Sequence, residues 1–223
     1  MPRLRILSMA LALTTFAGVV AAPAPAAVKT KPKPTCKRSH STTVAENRDA
    51  RVFTRPGNDG GHTEGTNLLA CFRKTGRVRL LDYAFDDDYV SSNAFALVRL
   101  RGQFAAFFSE STDISCKASC PPGYEATIRG LHLVDVRYGR GFSVKVAERP
   151  AGNRLLLDAR GAMAWPRRLP ANQVEVRVAD AAGEHAVDSG AIRPESLTLT
   201  AGGRLWWVKD GTPHSALLDH GSV

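Results

Sequence analysis

Short apolar or alternating runs, separated by turn residues, follow one another along the chain from about residue 41 onward. The run 95–100 is almost continuously apolar, as in a strand covered on both faces, whereas 174–178 alternates, as in an outer strand with one wet face. Glycine turns such as 74–76 and 202–203 separate the runs. After the first 27 residues, no stretch of twelve or more has helical apolar spacing. The pattern therefore predicts an all-β chain.

The predicted strands fall into four antiparallel units. These units cover about 41–85, 94–148, 154–190 and 196–219. Their predicted strands are, in chain order, 43–45, 50–54, 68–72 and 77–81; 95–100, 104–108, 131–136 and 142–146; 154–158, 162–165, 174–178 and 184–187; 197–200, 204–208 and 214–218. The last unit lacks an outer strand.

An internal sequence repeat, which we call the echo, links the third and fourth units. Residues 155–165 align without gaps on residues 197–207, which lie 42 positions later. The matching residues are Leu155, Leu157, Ala159, Gly161 and Trp165 in the first segment and Leu197, Leu199, Ala201, Gly203 and Trp207 in the second. An alternating apolar strand, a glycine turn and an aromatic strand recurring every 40–45 residues or so are typical of propeller blades.

The segment Arg204-Leu-Trp-Trp-Val-Lys-Asp-Gly211, after Leu197-Thr-Leu199, resembles the blade core of YWTD-type and TolB-like β-propellers. The resemblance is best over 194–211 and fair over 154–165. It implies four propeller-like antiparallel units that form a small or incomplete propeller, since family members usually have six or more blades. The loops joining strands, at 55–67, 82–93 and 109–127, would then form the contact surface. A β-sandwich or an open stack of antiparallel meanders is the alternative fold.

The first 27 residues have the features of a signal peptide. Arg3 and Arg5 form a basic start, 6–22 carries no charge, and Ala24-Pro25-Ala26 supplies small residues for cleavage. Residues 28–40 form a basic linker rich in lysine and proline, and 41–223 form a single all-β domain. A membrane anchor is the competing interpretation of the first segment. The mature chain is expected to be secreted or extracytoplasmic, with no integral membrane span.

The net charge of +9 does not indicate a nucleic-acid partner. Residues 39–223 hold 23 basic and 21 acidic side chains, because seven of the 30 basic residues lie in the first 38 positions. A domain with this near balance lacks the basic face that would neutralise many phosphates.

Four cysteines, an even number, fit an exported chain stabilised by disulfides. Three pairings exist, of which Cys36–Cys71 with Cys116–Cys120 is favoured, because the second pair closes a tight loop before Pro121. Zinc binding by the four thiolates is the alternative, but their spacing matches no zinc pattern.

Two neighbouring tryptophans, Trp206 and Trp207, are the candidate ligand platform. Neighbours on a strand point to opposite faces, so one of the two can be less buried than the other. An exposed tryptophan would offer a stacking surface for a sugar or a partner, whereas core packing needs no further role.

An acidic segment, rich in the oxygen ligands that Ca²⁺ prefers, is a second candidate site. Asp86, Asp87 and Asp88 are the proposed ligands, in a segment predicted to connect the first two units; a solvated turn is the alternative. The glycine-rich stretch 56–67, which holds Asp59, His62 and Glu64, is predicted to be a flexible loop. No cofactor other than calcium is suggested.

No recognisable motif for nucleophilic catalysis occurs in the chain. The segment Ser109-Glu-Ser111 is interpreted as turn chemistry at a strand end. His132 shares a strand face with Val134, which predicts a partly buried, hydrogen-bonded histidine with a structural role.

Together these features predict a non-catalytic binding or interaction module of the envelope or extracellular space. Its partner would be a protein or an envelope polysaccharide. The alternative is a calcium-assisted propeller hydrolase, lactonase- or glycosidase-like, with Asp59, Glu64 and 86–88 supplying the acids. A purely structural scaffold is a third class.

Overall fold

The computed structural model describes residues 35–58, 64–87, 91–113 and 126–220. Within these ranges the chain is all-β, with fifteen strands in three antiparallel sheets, three short 3-10 turns and no α-helix. The predicted fold class is confirmed at this level. Each of the predicted strands overlaps a strand of the structure.

The first sheet is an eight-stranded meander in which every strand pairs with the next along the chain. Its strands are β1 (Thr42–Glu46), β2 (Ala50–Asn58), β3 (Glu64–Phe72), β4 (Arg77–Asp87), β5 (Ser91–Arg101), β6 (Phe104–Asp113), β7 (Thr127–Asp135) and β8 (Arg140–Lys145). Only the ends of β4 and β5 pair, from Phe85 opposite Asn93 to Asp87 opposite Ser91. This short ladder divides the sheet into two four-stranded groups, which correspond to the first two predicted units.

The second and third sheets correspond to the third and fourth predicted units. The second holds β9 (Leu156–Leu157), β10 (Met163–Arg168), β11 (Val174–Asp180) and β12 (Gly183–Gly190), and the third holds β13 (Thr198–Leu199), β14 (Arg204–Lys209) and β15 (Thr212–Leu217). Burial alternates along β11 as predicted, but β12 is the outermost strand of its sheet.

The two segments of the sequence echo form hairpins of the same register. Leu157 lies opposite Met163 in β9–β10, and Leu199 lies opposite Leu205 in β13–β14. Both turns contain a glycine in the left-handed region, with φ of 88° at Gly161 and 81° at Gly203. A side-chain oxygen closes each turn: Ala162 donates its backbone N–H to Asp158 Oδ1 over 2.9 Å, and the backbone N–H of Arg204 donates to Thr200 Oγ1 over 3.1 Å.

Apolar side chains fill the space between successive strand groups. One cluster, which includes Val52 and Phe107, joins β1–β4 to β5–β8. A second joins β5–β8 to the second sheet around the fully buried Trp165, and a third joins the second sheet to the third around Val176 and Trp207. The first strands of the groups also contact one another in order: β1 with β5, β5 with β9, and β9 with β13.

A disulfide fastens the start of the described chain to the first sheet. Cys36 and Cys71 are bonded, with their Cα atoms 5.7 Å apart, which confirms the first of the two favoured pairs. The second pair stays a prediction, because Cys116 and Cys120 lie outside the described residues. The buried Arg51 adds to this attachment by donating from Nη1 to the carbonyl oxygen of Cys36 over 2.8 Å. Both cysteines pack against Phe53 on the outer side of the first group.

The predicted connections 55–67 and 82–93 are both shorter than expected, because the strands on either side of each extend through polar residues. Strands β4 and β5 reach Asp87 and Ser91, so Asp86 and Asp87 lie on a strand and not in a turn, and Asp88 lies outside the described residues. Strands β2 and β3 likewise take in most of 55–67, leaving Asp59 and His62 outside the described residues. Antiparallel pairing continues through these polar, mostly half-buried residues, so the loss of apolar alternation did not mark the strand ends.

The prediction that Ser109-Glu-Ser111 provides turn chemistry at a strand end is also wrong. The segment lies within β6, which runs to Asp113, and pairs with residues 128–130 of β7. Polar residues here again continue a ladder whose register is set by the apolar residues before them.

Candidate functional site

The tryptophan pair lies on β14, and the strand turns its two side chains in opposite directions. Trp207 is 4% exposed and belongs to the apolar cluster between the second and third sheets, whereas Trp206 is 41% exposed. Trp206 is therefore the member of the predicted platform that a ligand can reach.

The outward side of the third sheet, which we call the terminal face, surrounds Trp206. It is formed by Thr198, Arg204, Trp206, Val208, Pro213, Ser215 and Leu217. Trp206 lies directly between Thr198 on β13 and Ser215 on β15, and Arg204 Nη1 donates to Ser215 Oγ over 3.3 Å. The indole ring is thus flanked by two hydroxyl groups with a guanidinium one step along the strand.

The equivalent side of the second sheet is covered. In the shared hairpin register, Ala162 and Ala164 stand where the third sheet has Arg204 and Trp206. Both alanines are buried in the cluster that also contains Leu205 and Trp207. An arginine at the position of Ala162 would bring an unpaired charge into that packed interface, which burial disfavours. The terminal face is therefore built differently from the face that joins two sheets within the chain.

Asp188 on β12 holds the strand beneath Trp206 in place. Trp207 Nε1–H donates to Asp188 Oδ2 over 2.8 Å, and Lys209 Nζ donates to Oδ1 over 2.8 Å. Burial acts to raise the pKa of Asp188, but hydrogen bonds from Lys209, Trp207 and the Ser189 backbone outweigh it, so the pKa lies below its ordinary value. An ionised carboxylate on β12 thus joins that strand to β14 through the side chains of Trp207 and Lys209.

A separate cluster of polar side chains lies where the first two strand groups meet. His132 on β7 has Nε2 2.7 Å from Ser109 Oγ on β6 and Nδ1 2.7 Å from Ser143 Oγ on β8. We call these three residues the serine–histidine cluster. The imidazole stacks on Phe107, its neighbour across the ladder, with ring centroids 4.7 Å apart.

Gly130 gives the imidazole of His132 the room to reach Ser109. A Cβ atom at this position would lie 2.9 Å from His132 Nε2, which is closer than carbon and nitrogen can pack. Gly130 is directly opposite Ser109 in the ladder, so a larger residue would stand between the imidazole and the hydroxyl.

A carboxylate from the first strand group acts on the histidine. Burial lowers the pKa of His132, and the charge of Asp82 on β4 opposes that effect. Asp82 Oδ1 accepts hydrogen bonds from Asn93 Nδ2 over 3.0 Å and from the Tyr83 backbone N–H over 2.8 Å, whereas its Oδ2 is buried without a hydrogen-bond partner. His132 is therefore mainly neutral at pH 7, close to a carboxylate that would stabilise its charged form.

The sequence predicts the state of His132 but not its partners. The partly buried, hydrogen-bonded state of this histidine is confirmed, whereas the prediction that Ser109 lies in a turn is wrong and no sequence pattern marks Ser143. The partners come from strands 23 and 11 residues away. Their meeting depends on ladder register, which alternation alone does not specify.

The candidate calcium ligands do not form a described site. Asp86 is exposed and Asp87 half-buried; as neighbours on β4 they point to opposite faces, while Asp88 lies outside the described residues. Glu64 is exposed at the start of β3. Within the part of the chain that the structure describes, no three His, Cys, Asp or Glu side chains are grouped to hold a metal ion.

Comparisons with protein families, with curated proteins and with solved structures found no match to this chain. In the described ranges, no helix has the length and apolar character needed to cross a membrane.

Proposed function

We propose that the chain is an exported binding module that presents its terminal face to a partner in the envelope or the extracellular space. The contrast between Trp206 and Ala164 is the observation that carries this proposal, because equivalent positions are exposed in one sheet and covered in the other. The signal-like first segment and the Cys36–Cys71 disulfide support export, since disulfides persist in oxidising compartments.

The finer architecture that we propose is a small, open propeller of four blade-like units. The ordered contacts of β1, β5, β9 and β13 support it, as these would be the innermost strands of successive blades. The Cys36 segment packs on the outer side of the first unit, so the two ends of the array differ. In this arrangement the terminal face is the uncovered end.

The partner that suits the terminal face best is a polysaccharide. The indole of Trp206 offers a flat apolar surface for one side of a sugar ring. Thr198, Ser215 and Arg204 surround it with groups that exchange hydrogen bonds with sugar hydroxyls. Val208, Pro213 and Leu217 add aliphatic surface beside the ring. A protein partner that packs on these three residues is the alternative, and the experiment below separates it from a polysaccharide.

Co-sedimentation with insoluble envelope glycan tests this function. Purified mature protein would be mixed with glycan that has been stripped of protein by protease and detergent, and in parallel with untreated envelope. Trp206→Ala is expected to weaken binding to both materials at least about tenfold, as loss of an aromatic anchor does. Phe142→Ala is the matched control, because Phe142 is also 41% exposed but lies on β8, and it is expected to bind like the wild type.

The two materials separate the outcomes. Binding to untreated envelope alone, still dependent on Trp206, would replace the polysaccharide with a protein partner. Equal binding by Trp206→Ala and wild type would overturn the proposal that the terminal face is the binding surface.

A further inference from the structure

We propose that Ser109 is a nucleophile and His132 its general base, and that this pair hydrolyses carboxylic esters. This activity goes beyond binding at the terminal face and rests on different residues. Its basis is the 2.7 Å contact between Ser109 Oγ and His132 Nε2, completed by the 2.7 Å contact between His132 Nδ1 and Ser143 Oγ. A nucleophile, a base and a third group that orients the base are the elements of activated-serine chemistry.

The surrounding residues hold the imidazole in one orientation. Phe107 stacks on one side of the ring with an interplanar angle of 17°, and Ser143 fixes Nδ1 from β8. With Nδ1–H donating to Ser143 Oγ, Nε2 has a lone pair that accepts the Ser109 O–H. Gly130 supplies the room for this approach, because any side chain there would meet Nε2.

The local charges suit a base that becomes charged during the reaction. Burial keeps His132 mainly neutral and so able to accept a proton, while the nearby Asp82 favours the imidazolium that then forms. Asp82 is held by Asn93 and keeps a buried oxygen, Oδ2, without a hydrogen-bond partner. The stabilising charge thus comes from the first strand group and the nucleophile from the second.

The reaction balances with water as the second reactant. Ser109 Oγ bonds to the ester carbonyl carbon as its proton passes to His132 Nε2; the bond from that carbon to the alkoxy oxygen then breaks, and the proton leaves with the alcohol. In the second half, the water oxygen bonds to the acyl carbon and water gives a proton to Nε2; the bond from that carbon to Ser109 Oγ then breaks, Oγ takes the proton from Nε2, and the carboxylic acid departs.

We choose an ester as the substrate class because no carboxylate is bonded to the imidazole of His132. The partner of Nδ1 is a hydroxyl and not a carboxylate, so His132 is a weaker base than in a triad with aspartate bonded to the ring. An alcohol leaves more readily than an amine, so an ester needs less assistance than an amide. Ser109 and His132 are both partly exposed, as residues that act on a substrate must be.

Labelling with a fluorophosphonate and hydrolysis of p-nitrophenyl acetate test the proposal on the mature protein. The wild type is expected to gain one phosphonyl group on Ser109, located by mass spectrometry of peptides, and to release p-nitrophenol. Ser109→Ala is expected to abolish both, and His132→Gln to slow ester hydrolysis about 100-fold or more. Ser111→Ala is the matched control, because Ser111 lies two residues along the same strand face, and it is expected to behave as the wild type.

Ser143 is a positioning residue, and its test is a pH profile. Ser143→Ala is expected to reduce the rate and move the rise of activity with pH, because the pKa and orientation of His132 depend on this contact; Ser143→Thr, which keeps the hydroxyl, is expected to restore both. Thermal melts confirm that each variant is folded. An unlabelled wild type, or labelling that persists unchanged in folded Ser109→Ala, would overturn the proposal.

Discussion

Ala164 and Trp206 occupy the same place in two hairpins of identical register, yet Ala164 is fully buried and Trp206 is 41% exposed. The difference follows from what lies above each residue. The third sheet covers Ala164, and within the described chain the side of Trp206 faces solvent. The two positions therefore should respond oppositely to substitution.

Enlarging Ala164 should destabilise the chain, whereas trimming Trp206 should not. Ala164→Leu forces extra volume into a packed interface and is expected to cost about 1–3 kcal/mol of unfolding free energy. Trp206→Ala removes a half-exposed ring and should change stability by about 0.5 kcal/mol or less. Urea unfolding of both variants measures this, and a large loss with Trp206→Ala would show that the ring has a core role.

Acid should weaken the contribution of His132 to stability. The folded-state pKa lies below the ordinary value of 6.5, so the unfolded chain binds the proton more readily. The stabilisation is therefore present above pH 6.5 and is lost as the pH falls toward the folded-state pKa. The difference in unfolding free energy between wild type and His132→Asn should shrink between pH 7.5 and 5.5.

The control for the pH experiment is Ser111→Ala, whose difference from the wild type should stay constant over that range. A His132→Asn difference that also stays constant would contradict the assigned direction of the pKa.

Removing the disulfide should destabilise the first strand group. Cys36 and Cys71 are 35 residues apart, and closing a loop of that length is worth about 4 kcal/mol in the chain-entropy model. The double variant Cys36→Ser and Cys71→Ser is expected to lose about that amount in urea unfolding. A loss below about 1 kcal/mol would show that the N-terminal attachment depends mainly on Arg51 and its hydrogen bonds.

Two turn glycines provide a matched comparison. Gly183 and Gly203 both have left-handed backbone, with φ of 95° and 81°. A Cβ atom at Gly183 would meet nothing within 4 Å, whereas one at Gly203 would lie 2.3 Å from His220 Nε2. Alanine should therefore cost about 1–2 kcal/mol at Gly183 from backbone strain alone, and clearly more at Gly203. Equal losses would contradict the placement of His220 over the turn.

His220, which lies over the Gly203 turn, also links the two hairpins of the echo. His220 Nε2 lies 3.2 Å from Oδ2 of Asp158, a carboxylate whose side chain is fully buried in the turn of the second sheet. Arg160 Nη2 from the same turn donates to the carbonyl oxygen of Gly202 over 2.8 Å. These contacts bring the turns of the two hairpins together, so substitutions there should affect both sheets.

Alternation of apolar residues was enough to place the strands, because a side chain on a strand is either buried or wet. It did not give the length of β4 or β6, where polar residues such as Asp86 and Ser111 continue an existing ladder. Apolar alternation also does not specify which residues of neighbouring strands lie opposite each other, so it could not predict the contacts among Ser109, His132 and Ser143.

Alternation likewise showed that Trp206 and Trp207 face opposite ways, but not which one faces solvent. A signal was present in the echo itself. Arg204 stands where the second sheet has Ala162, and a charged side chain is rarely buried without a partner. Comparing charge between echoed positions would have identified the exposed face.

Acrylamide quenching of tryptophan fluorescence, with and without soluble fragments of envelope glycan, tests the central claim most directly. Trp165 and Trp207 are buried, so the readily quenched emission should come from Trp206, and Trp206→Phe should lack it. Saturating glycan fragments are expected to protect that emission in the wild type. Quenching that is unchanged by Trp206→Phe, or that glycan fragments leave unaltered, would contradict a polysaccharide-binding terminal face.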